Sequence, residues 1–600
     1  MISRRRLRTL CLASSGCLLL TGCGAGGSNN TTAATTGTGT TTAGTTTTGT
    51  GTTGTTTTGS GTPGAGTTGT GTTSTGTTGT GTTTTGTGTT GTGTITSAVT
   101  VATASRLLDQ ATFGPTSDSI AHVQSVGVNP WLQEQFSASP TVLAVLPNPL
   151  PTQCTNNPSP CFESEFWQAA LTGPDQLRQR VAMTLGELFV TSTQSVNGYA
   201  MVPYQNMLAA DAFTNWRTIM QDVALSPAMG LYLNMIQSGK PATGQHANEN
   251  WAREMLQLFS IGLEKLNTDG TLQVDANGKP IATFTEAQVQ AFADTFTGWT
   301  YATAAGAAPT TFPNNTANYY SPMMPVASAH DTTMKTLLNN TVISAGGTPA
   351  ADLKTALDDI FNDSSLPPFV CKQLIQHLVT STPSPAYVRR VSTVFLNNGS
   401  GVRGDMQAVL TAILTDTEAR AGDTDATYDG GHLREPMLYL ANAVRALGYA
   451  STNTDATNLW AYMSLSGYTS PLGEQPLRSA SVFNFYPPEY VIPGTTTNAP
   501  EFSLENTASV TLRLTLANSI STGKLNGFAT DLSKTSTLGL IAADPAKITD
   551  TLGVLFMHGQ MPSDMRTAII STISPLTDYG QRVRVATYLI LSSSQYKVMH

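Results

Sequence analysis

The sequence predicts an all-α protein, mainly helical with at most a minor β-hairpin, in which one large multi-helix domain follows a disordered tether. Apolar residues recur at intervals of three and four through most of residues 101–600, which is the periodicity of amphipathic helices. Helix start signals flank many of these segments, as at Ser384-Pro385 and at the capping box Thr285–Gln288. No self-similarity with a period of about 20–50 residues is present, so a solenoid is not supported.

Helix boundaries follow from the caps and breakers that bound each periodic segment. Ser117 or Asp118 is expected to cap one helix that Gly127 ends, and Ser226-Pro227 is expected to begin another. Residues 265–283 are predicted to form a β-hairpin or an ordered loop, because they contain two strong turn signals. The other predicted helices are 103–110, 130–136, 166–171, 175–189, 213–223, 248–262, 285–298, 353–361, 367–380, 384–396, 405–415, 435–447, 548–555, 563–573 and 579–591.

Two long segments carry no helical period. Residues 300–349 are rich in aromatic residues, proline and asparagine, and residues 475–493 form a second aromatic loop. Long ordered loops are often functional. The aromatic side chains of the second loop either stack on sugar rings or fill a core beside the prolines, and they are Phe483, Phe485, Tyr486 and Tyr490.

Residues 1–23 have the pattern of an export signal, with three arginines followed by an apolar run through Leu20. The run ends Leu20-Thr21-Gly22-Cys23, which resembles a bacterial lipoprotein signal and implies cleavage before Cys23 and lipidation of that residue. The alternatives are a plain secretory peptide with a chance cysteine, or a short membrane helix. Residue 24 is Gly rather than Asp, which by analogy favours the outer membrane if the cell has two membranes. The expected location is therefore the cell envelope, with the protein attached to the membrane by lipid.

Residues 24–100 consist almost only of Thr, Gly, Ala and Ser and contain no charged residue. Such a segment buries too little surface to offset the entropy of ordering, so it is predicted to be a disordered linker. A coil of ~70 residues spans roughly 45–50 Å root-mean-square. That length would hold the following domain clear of a membrane surface.

Charge, hydropathy and cysteine content limit the possible partners and the structural class of the protein. The net charge is −8 and no basic stripe is present, so nucleic acid is not an expected partner. No apolar run after the signal reaches the ~18 residues that a spanning helix needs. Cys154 and Cys161 lie close together in a loop of an exported chain, which predicts a disulfide over two free thiols, and Cys371 is expected to be a buried thiol.

The segment 248–262 has the strongest contrast between an apolar and a polar face. Asn248 is expected to cap this helix and Gly262 to follow its end. Its apolar arc contains Trp251, Ala252, Met255, Leu256, Leu258 and Phe259, and its polar arc contains Glu249, Asn250, Arg253, Glu254, Gln257 and Ser260.

The charged group on this helix has two interpretations. Glu249, Arg253 and Glu254 form half of a catalytic site, in which two carboxylates beside a guanidinium divide acid and base roles. Alternatively they form a buried structural network, in which Arg253 together with Arg178 or Arg180 pairs with Glu254 across helices.

His330 and Asp331 complete the predicted catalytic set. They lie in the long irregular segment, where they supply a base, a metal ligand or an anion contact, or else only a local loop bond with Lys335 nearby. His377 and His558 are expected to be structural, and Glu435, which follows His432 and Arg434, suits the start of a helix.

Familiar catalytic signatures are missing from the sequence. It contains no H-E-x-x-H, P-loop, G-x-S-x-G, C-x-x-C-H or dinucleotide-binding glycine motif. This lowers the expectation of a metalloprotease, nucleotide-dependent, serine hydrolase, haem or dinucleotide enzyme. No cofactor is predicted.

Several landmarks, in order, resemble a family of exported bacterial proteins catalogued as domain of unknown function 1800. The resemblance covers residues 101–600, and its landmarks are Arg106–Pro115, Leu177–Val181, Asn248–Glu254, Phe296–Trp299, His330-Asp331 with Lys335, Phe369–Thr380, Val402–Asp405, Leu433–Pro436, Ser481–Pro488 and the C-terminal helix.

The resemblance implies export but no mechanism, since a family association is not a site. Genes of such proteins often lie beside genes of an exported phosphatase- or sulfatase-like family. Relatives carry His where this chain has Phe259, so no metal site is transferred from the family.

Two functions are consistent with these observations. The first is a surface lipoprotein without enzymatic activity that binds or assembles with an exported phosphatase- or sulfatase-like protein. The alternative is an envelope or secreted hydrolase acting on polysaccharide or its substituents, with a glycan as ligand and a site at Glu249, Arg253, Glu254, His330 and Asp331.

Overall fold

The computed structural model describes residues 99–428, 430–453 and 461–599. The predicted signal 1–23 and the tether, apart from its last two residues, lie outside the described residues. Within them the chain is mainly helical, which confirms the predicted all-α class. No helix in this part of the chain has both the length and the apolar character needed to cross a membrane.

Twenty-two α-helices lie in the described residues. They are α1 Val101–Ala111, α2 Ser117–Val126, α3 Val128–Ser137, α4 Ser159–Thr172, α5 Gln176–Leu188, α6 Gly198–Asp211, α7 Trp216–Leu225, α8 Pro227–Tyr232, α9 Asn250–Gln257, α10 Glu286–Thr295, α11 Pro349–Asn362, α12 Leu366–Leu378, α13 Pro385–Leu396, α14 Met406–Thr415, α15 Pro436–Ala446, α16 Ser466–Thr469, α17 Thr507–Ser521, α18 Thr537–Ile541, α19 Pro545–Met557, α20 Ser563–Ile573, α21 Tyr579–Leu591 and α22 Ser594–Lys597.

Short antiparallel strands join distant parts of the chain. The described strands form four small sheets, ordered β1-β2, β3-β4, β5-β9 and β6-β8-β7. In the β5-β9 sheet, His432 pairs with Met599, which ties the start of α15 to the C-terminus. The strands are β1 Trp299–Thr300, β2 Met324–Pro325, β3 Lys335–Thr336, β4 Val342–Ile343, β5 His432–Leu433, β6 Ala450–Ser451, β7 Lys524–Leu525, β8 Phe528–Ala529 and β9 Val598–Met599.

Caps explain most helix starts. Ser384 caps α13 and the Thr285–Gln288 capping box begins α10, as the sequence predicts. At α2, however, the cap is Thr116, whose side chain accepts from the Ser119 N–H. The expectation of Ser117 or Asp118 was wrong by one residue, because both lie in the first turn of the helix.

The helix within 248–262 is shorter than predicted. It covers Asn250–Gln257, with Glu249 as its N-cap residue, while the Asn248 side chain accepts the Asn250 N–H at 3.0 Å. After Gln257 the chain continues in turns up to Gly262, whose φ of +72° suits glycine. Most of the predicted apolar face is buried as expected, but Leu258 is half-buried and Ser260 of the predicted polar arc is buried.

Two further segments follow the patterns in the sequence. Cys154 and Cys161 are joined by a disulfide, and Cys371 is buried. Cys161 lies inside α4, which begins seven residues earlier than the predicted 166–171 helix. Residues 264–282 form an ordered turn-rich segment with isolated antiparallel bridges, such as Leu266 with Leu272.

A buried ion pair joins the first helix to the C-terminal half. The Arg434 guanidinium donates to Asp109 Oδ2, and the Asn442 Nδ2 and His558 Nε2 atoms lie 2.9 Å from the two oxygens of the same carboxylate. Burial alone would raise the pKa of Asp109, but Arg434 and His558 outweigh it and hold that pKa well below its usual range.

We predict that Asp109→Ala lowers the free energy of unfolding by about 3–5 kcal/mol, since it leaves Arg434 buried without its anion. The matched control is Asp550→Ala, which removes the exposed pair with Arg566 and should cost no more than about 1 kcal/mol. Urea denaturation measures both variants. Equal losses would show that the buried pair has no special weight.

Candidate functional site

A group of buried acidic and histidine side chains lies where three helices meet. Glu187 is in the last turn of α5, His377 is in the last turn of α12, and Glu435 is the N-cap residue of α15. One potential ligand atom from each residue lies within 4.8 Å of the others. We call these three residues the central triad.

Local packing explains why these side chains converge. A Cβ atom at Gly186 would lie 2.8 Å from Leu477 Cδ2, so the glycine allows the 475–493 loop to cover α5 beside Glu187. Glu435 directly follows Arg434, which the pair with Asp109 holds in place. The central triad is therefore assembled by long-range contacts.

Three more buried groups surround the central triad. The Glu501 Oε1 atom accepts from the Ser381 hydroxyl and from the Leu433 N–H, the latter at 3.2 Å. The Glu474 Oε2 atom accepts the Met437 N–H at 2.8 Å. The His432 ring lies between Glu435 and Glu501, at 3.8 Å and 3.5 Å.

Arg180 and Tyr486 provide the main polar contacts of the central triad. The Tyr486 hydroxyl donates to Glu435 Oε1 and lies 3.3 Å from His377 Nδ1. Arg180 donates to the His377 carbonyl oxygen at 2.5 Å and to the Thr184 hydroxyl at 3.1 Å. Its positive charge thus lies near the carboxylates without a direct bond to them. In the aromatic loop 475–493, Tyr486 is buried, while Phe483, Phe485 and Tyr490 are half-buried.

Burial dominates the electrostatics of this group. It raises the pKa of Glu187 to about 8 and that of Glu435 to about 7, against the opposing effect of Arg180. Burial likewise raises the pKa of Glu501 to about 7 and lowers the pKa of His377. Such shifts within one cluster are typical of functional sites, although structural networks also produce them.

A small pocket adjoins the central triad through Glu187. Its lining is mostly apolar, and its residues are Phe166, Met183, Gly186, Glu187, Thr191, Gln205, Met437, Pro476, Leu477, Ser479, Asn484 and Phe485. Among the described residues, neither oxygen of Glu187 and neither polar atom of the Gln205 amide has a hydrogen-bond partner, while the Ser479 hydroxyl interacts with Tyr232. Because unpaired buried polar groups are costly, this pocket is suited to a polar ligand.

The sequence-predicted carboxylates Glu249 and Glu254 occupy different environments. Arg253 pairs with Glu249 at 2.7 Å and with Glu286 at 2.6 Å, in a partly exposed network on α9 and α10. Glu254 is largely buried, and burial raises its pKa to about 7. Burial raises the pKa of Tyr232 to about 12; a hydrogen bond with Ser479 of the pocket opposes this rise, and the Glu254 charge adds to it.

The structural alternative for Glu254 is not the one the sequence suggested. Arg178 donates to the carbonyl oxygens of Ala209 and Ala138, and Arg180 donates to the carbonyl oxygen of His377 in the central triad. The predicted pairing of either arginine with Glu254 is therefore wrong. Both arginines belong to α5, whose residues are all buried and thus reach partners on several sides.

His330 and Asp331 have local partners. The His330 Nδ1 atom lies 2.9 Å from the Thr297 carbonyl oxygen, and its Nε2 atom lies 3.0 Å from Asp352 Oδ2. Asp331 pairs with Lys335 at 2.9 Å. The hydrogen bonds of the described residues do not join Glu254 to His330, and the catalytic role of the five residues stays a prediction.

Sequence reasoning missed the cluster that the fold assembles. His377 was assigned a structural role, Glu435 was assigned to a helix start, and Glu187, Glu474 and Glu501 were not singled out. A usable signal was the presence of ionisable residues in otherwise apolar helices, as in the 175–189 and 367–380 segments. Their convergence across sequence separations of 190 and 58 residues is not visible as a motif.

The fold and this cluster define a mainly helical protein with a buried carboxylate–imidazole centre. The chain belongs to the family described as "Protein of unknown function (DUF1800)", whose profile matches residues 106–598. No curated protein and no solved structure matches the sequence. The family description names no reaction, so the central triad and the pocket beside it are the basis for any chemical role.

We predict that Glu254→Gln stabilises the protein at pH 8 but not at pH 4. In the unfolded chain a Glu carboxyl titrates near ~4.3. The folded chain, with a pKa of about 7, holds the proton longer, so its stability falls as pH rises between these values. Gln cannot ionise and removes that loss. Melting temperatures at the two pH values measure the effect.

The matched control is Glu286→Gln. A hydrogen bond from Arg253 lowers the pKa of Glu286, so its charge stabilises the fold at high pH and is lost on acidification. This variant should therefore lose stability at pH 8. A loss of the same sign in Glu254→Gln would contradict the assignment.

Proposed function

We propose that this chain is an envelope hydrolase that removes substituents from polysaccharide, with its reaction centre at the pocket beside Glu187. The observation that carries the proposal is the convergence of unpaired buried polar atoms from Glu187 and Gln205 on one pocket of the described structure, which the Ser479 hydroxyl also lines. A carboxyl, an amide and a hydroxyl supply a proton-transfer group and two hydrogen-bonding groups for a substrate. The proposed centre is therefore Glu187, while a role for His330 and Asp331 stays a prediction.

The pocket lining narrows the substrate class. Its apolar side chains include Phe166, Met183, Met437 and Phe485, and neither Lys nor Arg is among its lining residues. Phosphate and sulfate groups are usually bound by cations, whereas a neutral acyl group fits an apolar pocket with a few hydrogen-bonding groups. The proposed substrate is therefore an acyl ester on an envelope glycan, with Gln205 and Ser479 binding the ester oxygens.

Lipidation of Cys23 is part of this proposal. The signal-like residues 1–23 and the Thr/Gly-rich segment after them would place the helical domain at the envelope, on a tether. Because residue 24 is Gly rather than Asp, the outer membrane is the proposed location in a cell with two membranes. An enzyme held there would meet polysaccharide substrates without diffusing away.

We predict that Gln205→Leu lowers acyl release by about 10- to 100-fold, which corresponds to ~1.4–2.8 kcal/mol of lost transition-state hydrogen bonding. Leu is similar in size and apolar, so the folded state should persist with unchanged or higher melting temperature. The assay measures acetate released from isolated envelope polysaccharide by detergent-solubilised full-length protein.

The matched control is Gln168→Leu on the exposed side of α4, which should retain full activity. Wild-type protein that releases no acyl group from any envelope glycan would rule out this function. Equal activity of the Gln205→Leu and wild-type proteins would place the reaction elsewhere.

A second candidate is assembly with an exported phosphatase- or sulfatase-like protein at the cell surface. The observation in its favour is a set of exposed apolar side chains on the turn-rich segment and directly before it: Leu263, Leu272, Val274 and Ile281. Exposed apolar patches commonly mark interaction sites. Such a role requires no reaction centre.

We predict, for this second candidate, that Val274→Asp abolishes stoichiometric co-purification of such a partner from envelope membranes. A charge on this surface would have to be desolvated in the interface. The control is Val342→Asp, since Val342 is 54% exposed and Val274 is 53% exposed. Mass spectrometry identifies the recovered partners, and Cys23→Ala should remove the chain from these membranes. Recovery of the wild-type chain alone would contradict assembly.

A further inference from the structure

The central triad has an arrangement that differs from an ordinary buried ion pair. His377 Nδ1 lies 3.0 Å from Glu187 Oε2, yet among the described residues both oxygens of Glu187 lack a hydrogen-bond partner. Glu435 Oε1 accepts from Tyr486, while its Oε2 atom lacks a partner in the same part of the chain. Both carboxylates of the central triad thus keep unsatisfied oxygens beside His377, whose Nδ1 atom lies 3.3 Å from the Tyr486 hydroxyl.

A second observation comes from His432. Its ring is 1% exposed, and in the described structure neither of its nitrogens has a hydrogen-bond partner. It lies 3.8 Å from Glu435 Oε1 and 3.5 Å from Glu501 Oε1. Buried imidazoles nearly always have a partner, so this one points to a group that the protein atoms do not provide.

We propose that Glu187, His377 and Glu435 bind one divalent first-row transition-metal ion. Two ionised carboxylates and a neutral imidazole carry a total charge of −2, which a divalent cation balances. Arg180 compensates this charge only in part, because its described hydrogen bonds go to Thr184 and to the His377 carbonyl oxygen and not to either carboxylate.

The donor set selects the class of ion. Mixed oxygen and nitrogen ligands suit zinc, manganese or iron, whereas calcium and magnesium prefer oxygen ligands alone. At Zn–O and Zn–N bonds of about 2.0–2.2 Å, tetrahedral ligand atoms lie about 3.3–3.6 Å apart. The three ligand atoms here already lie within 4.8 Å of one another, so small side-chain rotations would complete the site.

The surroundings match those of a site with an open coordination position. Three protein ligands leave a fourth position for water or substrate. Glu187 belongs both to the central triad and to the pocket lining, so a bound ion would border the pocket that contains Gln205 and Ser479. Tyr486 orients Glu435, as outer hydrogen bonds commonly do for metal ligands. This inference goes beyond the proposed reaction and does not depend on it.

The test measures metal content rather than activity. Full-length protein is treated with dipicolinate, loaded with zinc chloride, dialysed and analysed by mass spectrometry of the metal. Wild-type protein is expected to retain one zinc ion per chain, and its melting temperature is expected to rise on loading. Cobalt substitution should give visible absorption bands of a bound ion.

Two conservative variants and a matched control complete the design. Glu435→Gln and His377→Gln should weaken zinc binding by at least about tenfold and lose the cobalt bands. His330→Gln should keep both, since His330 is an equally buried histidine 3.0 Å from the carboxylate of Asp352. Melting temperatures of the metal-free proteins show that each variant is folded.

The proposal fails if wild-type protein retains no zinc, manganese or iron after loading with each ion. It also fails if Glu435→Gln binds zinc as tightly as the wild type, or if His330→Gln loses the metal as well. Because the readout is metal content, a failed hydrolase assay leaves this result intact, and bound metal does not by itself establish the hydrolase.

Discussion

The buried pair between Asp109 and Arg434 sets the geometry on which the rest of the domain depends. It joins α1, which contains Asp109, to the segment just before α15, which contains Arg434. The Arg434 guanidinium also donates to the Tyr596 carbonyl oxygen. In the same segment, Glu435 belongs to the central triad and His432 lies beside it. The short segment 432–435 thus connects the first described helix and the last described helix to the candidate site.

This position has an energetic consequence. Buried ion pairs rarely add much net stability, since desolvation offsets their attraction, but removing one partner is costly. Among the described residues, both oxygens of Asp109 have hydrogen-bond partners, whereas Glu187 has none and Glu435 and Glu474 each have one oxygen without a partner. The pair with Asp109 holds Arg434 in place, and Glu435 follows it directly in the chain. The ion pair thus positions one member of the central triad.

Local sequence signals predicted much of the fold. The boundaries of α20 and α21 coincide with the predicted 563–573 and 579–591 segments, because each has a clear start and a clear apolar period. In contrast, α6 and α17 were not predicted. The first contains Pro203, and the second is rich in Thr, Ser and Asn. Their helical form depends on packing against neighbours, which overrides weak local preference.

The sequence by itself determined the helical class, the family, most caps and the cysteine pair, because these depend on residues close together in the chain. It also singled out Glu254, which is half-buried with a raised pKa, and His330, which has a carboxylate partner. Only the tertiary structure decided that Glu187, His377 and Glu435 meet, since they lie on three helices far apart in sequence. A site of this kind has no motif: its spacing is set by how helices pack and by the pair that anchors Arg434.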